Sequence, residues 1–255
     1  MMMKGKRGLV VGVANKWSLS WAIAQRLVQE GAEIALTYQN DRLAKNVREL
    51  AAELPTEPML IPLDVTSDRQ IVMTFELLKR VWGKIDFLVH GVAFAPRTAL
   101  EGSYAATSRE DWRIAHDISA YSLVALTQGA LPLMEEGGSI VTLSYLGAER
   151  AVPNYNVMGV AKASLEASVR YLAADLGPQG IRVNAVSAGP VKTLAASGIS
   201  GFGSMMRHHR NRTPLRKDTE PMEVADASLF MLSDMGRGVT GQVLYVDGGF
   251  NIVGD

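Results

Sequence analysis

Short β-branched runs alternate with longer amphipathic stretches along the whole chain, and this alternation restricts the fold more than any other feature. Residues 8–11, 33–38, 59–63, 85–89, 139–144, 181–186 and 242–246 read as strands. Residues 21–30, 41–53, 68–82, 111–134, 155–176 and 222–233 read as the helices between them. Several strands are apolar on both faces, which suits a parallel sheet covered by helices on each side. The expectation is α/β: a Rossmann-like doubly wound parallel sheet of about seven strands with helices on both faces, as a single domain over residues 1–255. No internal repeat, low-complexity tract or Pro/Gly/Ser linker divides it.

Composition narrows the chemistry. The 26 Lys+Arg balance 26 Asp+Glu, so the basic excess of a nucleic-acid binder is missing. With no cysteine there is no disulfide framework, thiolate nucleophile or Cys-ligated metal, and chemistry must run on oxygen and nitrogen groups or on a borrowed cofactor. The longest charge-free run, 118–134, contains Ser119, Ser122, Thr127, Gln128 and Pro132 and falls short of a membrane span. It reads as a buried helix at a core or subunit contact. The basic start at 1–7 precedes too short an apolar stretch for a signal peptide, so a soluble cytoplasmic protein is expected.

The first strand ends at Gly12 and a helix begins near 18–21. Such a turn places a helix N-terminus, with its unpaired N–H groups, where a pyrophosphate can bind. The three-glycine fingerprint is absent, because Ser18 and Ser20 stand where glycines are expected, so the turn alone is compatible with a plain strand-to-helix connection. The second strand ends at Tyr38-Gln39, with no acid for an adenosine 2′-hydroxyl. No base follows immediately for a 2′-phosphate, although Arg42 and Lys45 are near; the balance favours NAD(H) over NADP(H).

Tyr155 and Lys162 lie seven residues apart on one expected helix, so both project from nearly the same face. A phenol titrates near pH ~10, and a neighbouring ammonium stabilises its phenolate. Such a pair can polarise or protonate an oxygen while hydride arrives elsewhere on a substrate. Tyr145 follows the fifth strand, at the end where parallel strands open onto a ligand crevice.

These residues, with Gly12-Val13-Ala14-Asn15-Lys16, Ser144-Tyr145-Leu146-Gly147-Ala148-Glu149-Arg150, Ser187-Ala188-Gly189-Pro190, Thr193-Leu194-Ala195-Ala196-Ser197-Gly198 and Val246-Asp247-Gly248-Gly249, carry a resemblance that spans essentially the whole chain. The sequence resembles the short-chain dehydrogenase/reductase superfamily and, within it, the NADH-dependent enoyl-[acyl-carrier-protein] reductases of bacterial fatty-acid elongation. Departures from the wider superfamily support that branch. Four residues before Lys162 stands Met158 rather than tyrosine, and the usual serine position is Tyr145. The usual Asn-Asn-Ala-Gly is His90-Gly91-Val92-Ala93, and the usual helix asparagine is Ser119. Moving the phenol one turn back gives room for a longer conjugated thioester. Within the branch, Ala93 stands where glycine is more usual, which would tighten the pocket.

The resemblance implies roles residue by residue. Gly12, Ser18 and Leu19 would line the pyrophosphate turn, Gln39 would meet the adenosine side, Asp64 and Val65 would flank adenine, and Val92 would sit by the adenosine ribose. Lys162 would hold the nicotinamide ribose, and Val191, Lys192, Thr193, Leu194 and Ala195 would grip the carboxamide and pyrophosphate. Ala95 would touch the substrate, Tyr155 would hydrogen-bond the thioester oxygen, and Tyr145 would orient the substrate. The implied partners are the acyl carrier protein and three further copies in a homotetramer.

Residues 193–206, rich in glycine and small side chains, read as a mobile lid rather than a rigid helix. The basic run Arg207, Arg210, Arg212, Arg216 and Lys217 is either a solvated face or a dock for the acidic carrier protein. His208-His209 would point apart on a helix and have no carboxylate at ligand spacing, so no metal is expected. Two other functions remain at this point: a ketone reductase, which the missing Tyr-x3-Lys pair disfavours, and a nucleotide sensor, which would have no use for Tyr155.

Overall fold

A computed structural model describes residues 1–193 and 201–254. The order of elements is β1 (Arg7–Val11), α1 (Leu19–Gln29), β2 (Glu33–Tyr38), α2 (Asp41–Ala51), β3 (Met59–Pro62), α3 (Asp68–Trp82) and β4 (Phe87–His90). It continues with α4 (Arg109–His116), α5 (Ser122–Ala130), β5 (Gly138–Ser144), α6 (Asn156–Leu176), β6 (Ile181–Ala188), α7 (Phe202–Arg212), α8 (Pro221–Leu232) and β7 (Val243–Val246). The strands form one seven-stranded sheet in the order β3-β2-β1-β4-β5-β6-β7, with every pairing parallel. The order reverses between β1 and β4, which places a crevice beyond their C-terminal ends.

Alternation along each strand feeds two cores. Leu9, Leu88, Ile140 and Val183 face α3, α5 and α6, while Val10, Val89, Val141 and Val186 face α1, α2 and α8. Both faces of the central strands are therefore apolar, as their composition implied. Helix starts follow local chemistry. Asn40, Ser67 and Ser108 accept from the backbone N–H of Leu43, Gln70 and Asp111, and Glu220 with Glu223 closes a capping box ahead of α8.

The expected single helix over 111–134 is broken. α4 and α5 are joined by a π-turn at Asp117–Tyr121, and a tight turn at Leu131–Leu133 follows α5, with Pro132 inside it. Two serines account for the widened turn. Ser122 Oγ donates back to the Ile118 carbonyl at 2.6 Å, and Ser119 turns its hydroxyl away to the main chain of Phe94. The lid expectation is also revised in part: residues 202–206 are the first turns of α7, while 194–200 lie outside the described residues. No described helix is long and apolar enough to cross a membrane.

Candidate active site

At the β1–α1 turn, Gly12 has φ of +102°, and a Cβ there would come within 2.2 Å of the Gly91 carbonyl oxygen. Only glycine fits both the conformation and the approach. Ser18 caps α1 in extended conformation without a side-chain bond to the helix, so the first-turn N–H groups of Leu19 and its neighbour face outward. The Ser18 oxygen instead accepts from the N–H of Ala14 and Asn15, both at 3.1 Å, which leaves its proton to donate outward. A serine therefore organises the turn by side-chain bonding where glycines usually do so by conformation. Further along the rim, Gln39 donates to Asp64 Oδ2 at 3.2 Å, and Asp64 Oδ1 accepts from Thr66 N and Oγ1. Burial raises the Asp64 carboxyl, but the Thr66 and Gln39 donors outweigh it and hold the group below its ordinary value. Val65 and Val92 pack half-buried against the α3/α5/α6 core, completing an apolar wall at this end. These features fit a dinucleotide: an anion-ready helix end, a cradle that a Cβ would fill, and a polar edge for an adenosine.

The other end of the crevice is built by β5, α6 and α7. Tyr145 follows β5, Tyr155 immediately precedes α6, and their rings meet edge-to-face at 4.9 Å. Gly147 makes this possible, since a Cβ there would press within 2.4 Å of the Tyr155 ring. Asn154 and Asn156, at φ of 60° and 35°, flank Tyr155 in a backbone region that non-glycine residues rarely occupy. Lys162 is buried on α6 and donates to the Leu143 carbonyl at 2.6 Å. Met205 of α7 lies over Tyr145, whose hydroxyl donates to its sulfur at 3.5 Å. Ala93, Ala95 and Tyr155 line a small apolar cluster with Leu100, Val157 and Met158. Val191 is buried, Lys192 exposed and Thr193 half-buried; Leu194 and Ala195 fall outside the described residues.

Burial dominates the electrostatics here and corrects one expectation. Tyr145 is pushed up to about 12 by burial, and Tyr155 is raised further by burial and by its proximity to Tyr145. The ammonium of Lys162 does not offset this, so both phenols stay neutral and act as hydrogen-bond donors. Lys162 itself falls to about 8 through burial, partly countered by the Glu166 carboxylate.

Three residues of this rim were given no role from the sequence, although His90 and Ser119 stood out there as departures from the superfamily pattern. His90 is fully buried between Thr142 Oγ1 at 2.7 Å and Ser122 Oγ at 2.8 Å. Because Ser122 gives its proton to Ile118, the imidazole donates through Nε2 and accepts through Nδ1. Burial, reinforced by Lys162, lowers it to about 3, so it is neutral. Ser119 accepts from Phe94 N at 2.9 Å and donates to Phe94 O at 3.0 Å, fixing the segment between Ala93 and Ala95. Glu166 is buried one turn beyond Lys162 and accepts from Ser144 Oγ at 2.5 Å. Its i,i+4 spacing from Lys162 was the signal available in the sequence.

The basic run after the lid is less free than its composition implied. Arg210 pairs with Asp218, Lys217 with Glu223, and Arg212 donates to the Gly254 carbonyl. Arg207 has no ion pair among the described residues. His209 is buried against Phe250 while His208 is exposed, and the described residues contain no group of three metal-ligating side chains.

A doubly wound sheet with a phosphate-ready turn at one end of its crevice, and neutral phenols and a buried lysine on the elements that build the other, defines a nucleotide-dependent oxidoreductase as the class. Comparison with known proteins narrows this. The family model described as "Enoyl-(Acyl carrier protein) reductase" matches residues 12–251. The chain is 51% identical over 251 residues to the enoyl-[acyl-carrier-protein] reductase [NADH] of Bacillus subtilis, covering 98% of this chain and 97% of that protein. It is 50% identical over 251 residues to the Escherichia coli enzyme of the same name, covering 98% and 95%. Among solved structures, the Bacillus cereus enoyl-acyl carrier protein reductase with NADP+ and indole naphthyridinone superposes with a TM-score of 0.98 at 50% identity, covering 100% of this chain and 99% of that one. The Anaplasma phagocytophilum enzyme in complex with NAD gives 0.96 at 49% identity, covering 100% and 97%. The chain belongs to the enoyl-[acyl-carrier-protein] reductase family.

Proposed function

We propose that this protein reduces the trans-2 double bond of enoyl thioesters on acyl carrier protein with NADH, the closing reduction of the fatty-acid elongation cycle. The observation that carries the reading is the position of the phenol. Where a ketone reductase would place tyrosine, four residues before the lysine, Met158 is buried against Ser119 at 3.6 Å, and the hydroxyl comes from Tyr155 nearly one turn earlier. That setback accommodates a substrate whose hydride acceptor is two carbons from its oxygen.

When bound, NADH supplies the hydride, which reaches the β-carbon. Gly12, Ser18 and Leu19 would hold its pyrophosphate, Gln39, Asp64, Val65 and Val92 its adenosine side. Lys162 would hold the nicotinamide ribose, and the 191–195 segment the carboxamide. As electrons collect on the thioester oxygen, the neutral Tyr155 donates a hydrogen bond to it, a donor that costs no reorganisation because burial already keeps it protonated. Tyr145, edge-on to Tyr155, orients the substrate against Ala95, and C2 then takes a proton. Residues 193–206 act as a lid whose α7 portion sets Met205 over the Tyr145 hydroxyl, shielding the reaction from water.

The same reading makes the carrier protein the substrate's bearer, with Arg207 as a docking cation, and sets the enzyme in the cytoplasm as a homotetramer. Exposed Tyr121, Val160 and Tyr171 on the α5/α6 flank supply apolar surface for that assembly. The test is steady-state turnover of crotonyl and acetoacetyl thioesters with NADH and NADPH in parallel. Turnover of the crotonyl thioester with NADH is expected to exceed every other combination; preference for the acetoacetyl thioester would refute the assignment. Light scattering reads the assembly, for which a monomer is the contrary result.

A further inference from the structure

Each turnover of the proposed reaction consumes one proton from solvent, and while Tyr155 is half-buried, Lys162 is buried. A polar row leads away from them on the α6 side of the sheet. Ser144, Ser187 and Tyr245 are register partners on β5, β6 and β7, so their side chains lie side by side on one face. Toward the start of the strands that face is apolar, and Thr142 on it is bonded to His90. Ser144 donates to Glu166, which is buried one helical turn from Lys162. The Ser187 hydroxyl is buried with no hydrogen-bond partner among the described residues. The Tyr245 hydroxyl, also buried, faces the Glu149 carboxylate but makes no bond of ordinary geometry with it. Glu149 is exposed, so the row runs from solvent to the lysine.

Two orphaned hydroxyls and a buried carboxylate in one row are costly unless water threads between them. Ser119 offers no second route, since its hydroxyl is committed to Phe94. We infer that Ser144, Ser187, Tyr245 and Glu149 form a proton path from solvent to Glu166, which hands protons through Lys162 to the reduction site.

The balance is simple. Hydride brings two electrons and one hydrogen to C3, C2 receives one proton from the site, and the path returns one proton from solvent; NAD+ and the saturated thioester leave. Glu166 suits a proton carrier. Burial and the like charge of Glu149 raise its carboxyl, while Ser144, Arg170 and Lys162 oppose that rise without cancelling it.

The inference rests on the proposed reductase activity, and its test separates the two. In the wild type, Glu166→Gln and Ser187→Ala, the solvent deuterium isotope effect on kcat is measured with NADH and an enoyl thioester, beside NADH binding and thermal unfolding. Glu166→Gln is expected to lower kcat about tenfold and raise the isotope effect, with NADH affinity unchanged. Ser187→Ala, which keeps every hydrogen bond the fold makes, is expected to raise the isotope effect with a smaller loss. Independently of turnover, infrared titration of wild type against Glu166→Gln is expected to reveal one carboxyl band with a midpoint above the ordinary value of 4.5. Unchanged isotope effects in both variants, or no such band, overturns the path. An inactive wild type that retains the band removes the reductase assignment instead.

Discussion

The two ends of the same sheet treat charge in opposite ways. At the N-terminal ends of the strands lies a groove of about 740 Å³ lined by Lys6, Arg7, Lys84, Asp86, Glu136 and Arg182 among others. Its charges are largely paired and solvated: Lys6 with Asp86 at 3.6 Å, Arg7 with Glu33 at 2.8 Å, Lys84 with Glu136. At the C-terminal ends, Lys162, Glu166 and His90 are buried, and their protonation is displaced from ordinary values. This groove therefore carries the blander chemistry. What marks the reactive end is titratable groups held where water cannot solvate them.

That contrast can be broken most severely at Tyr155. Replacing it with phenylalanine removes the donor but keeps the ring packing, and kcat for an enoyl thioester is expected to fall by about 10²–10³, with NADH binding within about twofold by fluorescence titration. A Tyr145→Phe change is expected to cost roughly tenfold, since its hydroxyl already bonds Met205. Gly12→Ala strains a left-handed residue and collides with Gly91, so the Kd for NADH is expected to rise about tenfold, with a lower Tm.

Lys162→Met sharpens the comparison through its sign. The folded value of about 8 lies below the unfolded value near 10.4, so the wild type bears the full penalty of a buried cation below about pH 8. Between those values the fold sheds that proton while the unfolded chain keeps it, and wild-type stability recovers. The methionine variant is expected to melt higher than wild type at pH 7, with the advantage shrinking above pH ~8, and to bind NADH poorly. Smallest of all is Lys84→Ala at the opposite rim, where turnover is expected to be unchanged and Tm to move by about 1 °C or less.

The strands were legible because their apolar runs are continuous and bounded, and the Tyr155–Lys162 pair because helical spacing is fixed. The neutrality of Tyr155 was not. It depends on packing against Ala99, Leu100 and Ala115, which lie 40 to 56 positions away in the sequence. His90 was equally hidden, since its partners Ser122 and Thr142 come from a helix and a strand that only the sheet order brings together. The π-turn within 111–134 escaped because it goes with where Ser119 and Ser122 direct their hydroxyls rather than with a helix-breaking residue. Ser18 shows the converse. The sequence displayed the missing glycines, but not that a side chain had taken over their work.

The most direct measurement is kcat/KM for enoyl thioester reduction by NADH against pH, run on wild type and on Tyr155→Phe. If burial keeps the phenol neutral, the alkaline limb near pH 8 belongs to Lys162, and it persists at the same place in the far slower variant. A limb that vanishes with the hydroxyl would make the reacting species a phenolate and contradict the account.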